Sequence, residues 1–196
     1  FLDYETCNLA VPRYPGYHPQ QQVVFQYSLH CLESPQGPLR HHGHIALCDG
    51  DPSRELLEHL AGDLGGSGSV IVWNKTFEMT RNREMAGLHA EFADFLEDVN
   101  ARVYDLGDII NLGIYLHPGF KGSWSIKNVL PVMVPELSYQ GLPIHEGGQA
   151  SMAWWRMACG DTDAAQRESL RADLERYCAL DTLAMVEIYR RLAALL

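Results

Sequence analysis

Apolar residues first alternate with polar ones and later repeat at spacings of three and four, so the chain reads as strands followed mainly by helices. Phe1-Leu2-Asp3-Tyr4-Glu5-Thr6 and residues 22–33, with Val23-Val24-Phe25-Gln26-Tyr27-Ser28-Leu29 inside them, have strand character. Ser34-Pro35-Gln36-Gly37-Pro38 is a turn, and residues 39–48 form the returning strand of a hairpin. Asp51-Pro52-Ser53 opens a helix that carries Leu56, Leu57 and Leu60 and stops at Gly65-Gly66-Ser67-Gly68. Residues 69–73 are a short buried-type strand. Phe77, Arg81, Met85, Leu88, Phe92, Phe95 and Val99 then mark one face of a single long helix. Residues 103–106 end a further strand, and 125–133, 148–159 and 167–195 are helices. This order predicts one α/β domain over residues 1–196, with a mixed sheet flanked by helices.

Composition narrows the function classes. A hydrophobic content of 46% with 20% charged residues is that of a folded globular domain. No apolar run approaches the ~18 residues of a membrane span. The chain begins at Phe1, directly on a strand and without Met, and so reads as a domain cut from a longer protein whose other domains are potential partners. Five cysteines without CxxC spacing favour reduced thiols in a cytoplasmic protein over a disulfide frame or a zinc site. A net charge of −10 argues against a sequence-independent coat on nucleic acid. It is compatible with an enzyme that grips a few phosphates through metal ions and a local basic patch.

The candidate chemistry lies in the carboxylates. Asp3 and Glu5 share one face of a strand, roughly 6–7 Å apart along the backbone, where two anions repel. A divalent cation removes the conflict, and a solvated edge strand is the alternative. The last helix has a stripe of Leu174, Tyr177, Asp181, Met185, Ile188 and Leu192, and Asp181 is its anomaly. A carboxylate on a core-facing stripe needs a charge partner or a metal. Tyr177 stands one turn before it, on the same face. Asn74 sits where strand gives way to helix and reads as an N-cap. Glu78 in the first turns suits the helix dipole and also comes to the end of the sheet.

Together, Asp3-Tyr4-Glu5, Asn74-Lys75-Thr76-Phe77-Glu78 and Tyr177-Cys178-Ala179-Leu180-Asp181 resemble the three exonuclease motifs of the DnaQ-like DEDD superfamily, in its tyrosine-bearing DEDDy branch. More closely, the chain resembles a bacterial family that carries such a domain near the C-terminus. The resemblance implies a ribonuclease H-like fold with a mixed five-stranded sheet whose first three strands are antiparallel. It also implies a metal-dependent 3′–5′ exonuclease that acts on single-stranded DNA or RNA ends and releases nucleoside 5′-monophosphates. Two Mg2+ or Mn2+ ions would be held by Asp3, Glu5, Glu78 and Asp181. Asp3 would bridge them, and Tyr177 would orient or deprotonate the attacking water. The chain departs from the superfamily at Glu78, where Asp is usual. A non-catalytic domain that binds nucleic acid or protein, and a structure-selective endonuclease, are the alternative readings.

Secondary signals surround this set. Ser125 and Lys127 at a capped helix start suit a phosphate. Trp124 beside them can stack on a base, so these three join Asn74 and Phe77 as expected substrate contacts. Lys75, Arg81 and Arg83 would add positive charge near the cleft, and Asp105 could approach it as well as cap a helix. Arg40-His41-His42-Gly43-His44 reads as a polar hairpin, with a metal site as the alternative that lacks a partner segment, or with His41 and His44 touching substrate. Trp154 and Trp155 read as core.

Overall fold

A computed structural model of the chain describes residues 1–47, 50–160 and 162–195. Strands β1 (Leu2–Asn8), β2 (Gln22–Leu32) and β3 (Leu39–Ile45) form an antiparallel sheet with β2 at its centre. β2 is buried along most of its length, which explains its near-continuous apolar run. The strand expected to reach Cys48 ends at Ile45, and Cys48 lies outside the described residues. Helix α1 (Pro52–Asp63) follows, with the Asp51 side chain accepting the Ser53 amide and Pro52 in the first turn, as the local sequence predicts.

β4 (Val70–Val72) and β5 (Val103–Asp105) pair in parallel. β4 packs beside β1, yet the hydrogen-bonded ladders are one of three strands and one of two. The expected single five-stranded sheet is therefore observed as three plus two strands in a mixed α/β domain. The single long helix is also corrected. It breaks at His89 into α2 (Lys75–Leu88), a turn of 3-10 helix and α3 (Ala93–Ala101). His89 leaves helical geometry with φ −129° and ψ 80°. Its Nε2 reaches Ser53 Oγ at 2.8 Å and Asp51 at 3.1 Å, which ties the break to the start of α1.

A four-residue helix α4 (Asp108–Asn111), which had no periodic signal, is followed by α5 (Ile126–Met133), α6 (Gly147–Cys159) and α7 (Ala164–Ala193). α7 starts with a reciprocal capping box between Asp163 and Gln166. One face of the sheet packs Tyr4, Tyr27 and Leu29 against Leu56, Leu57 and Leu60 of α1. On the other face, Phe25 stacks on the fully buried Trp154 of α6, with ring centroids 4.8 Å apart. Trp155 is partly exposed beneath Arg13. The stripe on α7 buries Leu174, Tyr177, Asp181, Met185 and Ile188, and it is widened by Cys178, Thr182 and Ala184. Among the described residues, no helix is long and apolar enough to cross a membrane.

Candidate active site

The register of β1 on β2 sets the site. Asp3 faces Ser28 and Glu5 faces Gln26, so both carboxylates lie on the face covered by α6 and α7, while Tyr4 between them turns to Asn82 of α2. α7 brings Asp181 and Tyr177 to the same place. Asp3, Glu5 and Asp181 are close enough to repel one another, and Asp3 also repels Glu78 of α2. Asp3 is thus the one carboxylate that interacts with the other three.

Burial and repulsion act in the same direction on these groups. Desolvation first, and neighbouring carboxylates second, hold Asp3, Glu5 and Glu78 well above the ordinary carboxylate range. Desolvation raises Asp181 to about 6, opposed by the Tyr139 hydroxyl, which donates to its Oδ1 at 2.5 Å, and by Lys127. Burial and the adjacent carboxylates also push the Tyr177 phenol upward. It stays protonated at neutral pH. A phenol that keeps its proton can donate a hydrogen bond but cannot accept a proton as a base.

Glu78 Oε2 is fully enclosed and has no hydrogen-bond partner among the described residues. A buried carboxylate oxygen without a donor is costly, and a cation is the partner that suits it. One donor atom each from Asp3, Glu5 and Cys178 lies within 4.8 Å of the others. The Cys178 thiol is held protonated by burial and by the carboxylates, and it donates to Asp3 Oδ2 at 3.8 Å. It therefore stands beside the oxygens as a weak donor. The remaining donors are all oxygen, the set that Mg2+ or Mn2+ takes.

Among the described residues, Arg81 acts on Glu78, while Lys127 is the cation that acts on Asp3, Glu5 and Asp181. Its Nζ donates to the His145 carbonyl at 2.7 Å, lies 5.6 Å from the Tyr139 ring and 5.7 Å from the Tyr177 ring, and lowers Asp3, Glu5 and Asp181 by its charge. Ser125 occupies the N-cap position of α5 without making a side-chain cap, which corrects the expected capped start. Trp124 is partly exposed, and its carbonyl accepts from Trp73 Nε1 at 3.0 Å.

Asn74 also differs from expectation. It adopts φ 83° and ψ 71°, and its side chain caps nothing. Asp105 does this work from β5, accepting the amides of Asn74 at 3.0 Å, Lys75 at 2.7 Å and Gly107 at 3.0 Å. The left-handed backbone at Asn74 is a conformation that Asn tolerates better than most residues. Phe77 packs on the core with Arg81 over its ring at 5.1 Å. Lys75 and Arg81 are paired with Asp108 and Glu84, so their charge is largely neutralised, while Arg83 is exposed. Tyr139 was invisible to sequence reasoning, since it sits in an aperiodic stretch between α5 and α6.

A profile of the family described as "Domain of unknown function (DUF2779)" matches residues 1–125. The chain belongs to this family. It is also similar to "Uncharacterized protein UU173" of Ureaplasma parvum serovar 3, with 29% identity over 136 residues that make up 61% of this chain and 20% of that protein. A second relative is "Uncharacterized protein MG366 homolog" of Mycoplasma pneumoniae, with 29% identity over 131 residues and the same two shares. The chain spans about a fifth of the length of these relatives. No solved structure gives a significant match.

Proposed function

We propose that this domain is a metal-dependent 3′–5′ exonuclease of ribonuclease H-like architecture that hydrolyses single-stranded nucleic-acid ends. The observation that carries the reading is the convergence of Asp3, Glu5 and Asp181, with Glu78 acting on Asp3 from α2, each carboxyl raised by burial and Glu78 Oε2 without a hydrogen-bond partner among the described residues. Folding tolerates such a cluster most readily when it binds cations. The packing of β4 beside β1 supports the architecture, because pairing there would join three and two strands into one mixed sheet of five. The polarity and the product rest on the motif resemblance to DnaQ-like exonucleases.

Asp3, which interacts with all three other carboxylates, is the residue suited to sharing two ions. Glu5 and Asp181 would complete one ion's ligands, and Glu78 the other's. When bound, the two ions supply an activated water and neutralise charge on the leaving oxygen. Tyr177 positions that water by hydrogen bonding. Tyr139 donates to Asp181, which favours its ionised form against burial and restrains its orientation. Lys127 offers positive charge to a phosphoryl oxygen, and Trp124 a face on which an end base can stack. A cytoplasmic setting suits the free thiols of Cys7, Cys31, Cys159 and Cys178.

The test is hydrolysis of end-labelled single-stranded DNA and RNA with Mg2+ or Mn2+. Stepwise release of nucleoside monophosphates from the 3′ end, abolished by Asp181→Ala, is expected. Tight binding of single strands without cleavage would instead assign the domain a non-catalytic role. Internal cuts confined to branched or looped substrates would make it an endonuclease.

A further inference from the structure

The histidine-rich strand β3 meets a partner on α1. Side chains alternate along β3, so His41 turns toward α7, where its Nε2 lies 2.9 Å from Ser28 Oγ, while His42 and His44 turn toward α1. α1 presents Glu55, His59 and Asp63 at successive turns of one face. His42 Nδ1 lies 3.2 Å from Asp63 Oδ1, and His44 Nε2 lies 2.8 Å from Glu55 Oε1. The His44 and His59 rings stack with centroids 3.7 Å apart and planes 15° from parallel. One donor atom from each of His44, Glu55 and His59 lies within 4.8 Å of the other two.

We propose that His44, Glu55 and His59 bind one transition-metal dication, best suited to Zn2+, at a site separate from the carboxylate cluster. Two imidazole nitrogens and one carboxylate form a donor set that zinc takes, with a fourth position left for water. Mg2+ and Ca2+ prefer all-oxygen sites and fit poorly here. Donors bonded to a tetrahedral zinc at about 2.0–2.2 Å lie about 3.3–3.6 Å from one another, so the His44–Glu55 pair at 2.8 Å has to open slightly, and donors now within 4.8 Å need shifts of no more than about 1–1.5 Å. The nitrogen lone pairs lie in the ring planes, and two nearly parallel planes cannot both hold one ion at bonding distance. One ring has to turn. His59 is exposed and free to do so, whereas His44 is partly buried and already held by Glu55.

The site lies on the opposite face of the sheet from Asp3 and Glu5, because His44 pairs with Tyr27, whose side chain faces α1. Arg171 bears on His44, but its guanidinium is paired with Glu175 at 3.0 Å. Binding would clip the outer strand β3 to α1. His44 would give its Nε2 lone pair to the metal, and the proton now shared with Glu55 would leave or move to Nδ1.

Zn2+ titration of the full chain against a chromophoric chelator tests this, with Co2+ followed by its visible absorption as a readout of imidazole ligation. Both are repeated on an Asp3→Asn, Glu5→Gln, Glu78→Gln, Asp181→Asn background that removes the other cluster's carboxylates. One Zn2+ per chain is expected to persist in that background. His44→Ala and His59→Ala should each weaken it at least about tenfold, since loss of even an outer-shell partner typically costs about 10–100-fold. His41→Ala, on the other face, should leave it unchanged. His59 is exposed, so its replacement preserves folding, which circular dichroism checks. Wild-type Zn2+ affinity in folded His59→Ala, or loss of binding in the carboxylate-free background, overturns the proposal.

Discussion

Asp181 is pulled in two directions by its immediate neighbours. Burial disfavours its anion, while the Tyr139 hydroxyl at 2.5 Å and the Lys127 ammonium favour it. Removing the Tyr139 hydroxyl should therefore raise Asp181 further above about 6 and make metal binding more pH-sensitive. Tyr139→Phe is expected to weaken Mn2+ binding several-fold at pH 6 and to recover most of it by pH 8, by calorimetry. Tyr177→Phe should behave differently, because Tyr177 makes no hydrogen bond to Asp181 among the described residues. Metal affinity should stay near wild type while turnover on a single strand falls about 10²–10⁴-fold, the usual cost of one catalytic hydrogen-bonding or proton-transfer group. Full activity in Tyr177→Phe would make Tyr177 simply a core residue. Lys127→Ala should raise KM for a single-stranded substrate more than it lowers kcat. An unchanged KM would place Lys127 outside the substrate path. Asp181 and Tyr177 were legible from the sequence because a periodic apolar stripe makes a charged member conspicuous. Tyr139 was not, because a loop residue carries no periodicity that announces its direction.

The elements that deliver these side chains depend on polar anchors between distant segments. Helix α2 carries Glu78, and its start is held by Asp105 of β5, which gathers three amides. Asp105→Ala would leave those donors without their charged acceptor in a site that is only 7% exposed. Hydrogen bonds to a charged group contribute about 1.5–3 kcal/mol each and are not additive, so a loss of about 3 kcal/mol in urea unfolding is expected. Stabilisation by Mn2+ should fall in parallel, since Glu78 loses its fixed position. A variant as stable as wild type would show that the amides find other acceptors. Element identity and order were largely readable from hydrophobic spacing, because burial of one face enforces that spacing. The break of the predicted long helix at His89 was not, because it is set by a side-chain tie to Asp51 and Ser53 across the fold. The same holds at Asn74. Its position between strand and helix suggested a side-chain cap, yet the cap comes from a residue 31 positions away. Histidines on β3 were noticed without their partners for the same reason.

At the scale of the whole molecule, the cluster is a liability that metal should convert into a gain. The chain already carries a net charge of −10, and three carboxyls beside Asp181 are also held above their ordinary range. An acid whose folded-state pKa is raised binds its proton more tightly in the native than in the unfolded chain. Stability is then present in full below the unfolded value of 3.8 and is lost as pH rises through about 6. Asp181→Asn removes this titration. In chelator, wild type and Asp181→Asn should have similar stability near pH 4, and the variant should be more stable by about 2–3 kcal/mol at pH 7. Saturating Mn2+ should reverse that order, because only a chain with its ligands intact gains stability by mass action, about 4.1 kcal/mol at a thousandfold excess over Kd. Chemical denaturation at pH 4, 5.5 and 7, with chelator and with Mn2+, measures each term. If Asp181→Asn is the less stable protein at pH 7 in chelator, the bond from Tyr139 outweighs the cost of burying the charge and Asp181 is a structural residue. If the order fails to reverse with Mn2+, Asp181 is not a ligand, and the assignment of the cluster as a two-metal site falls.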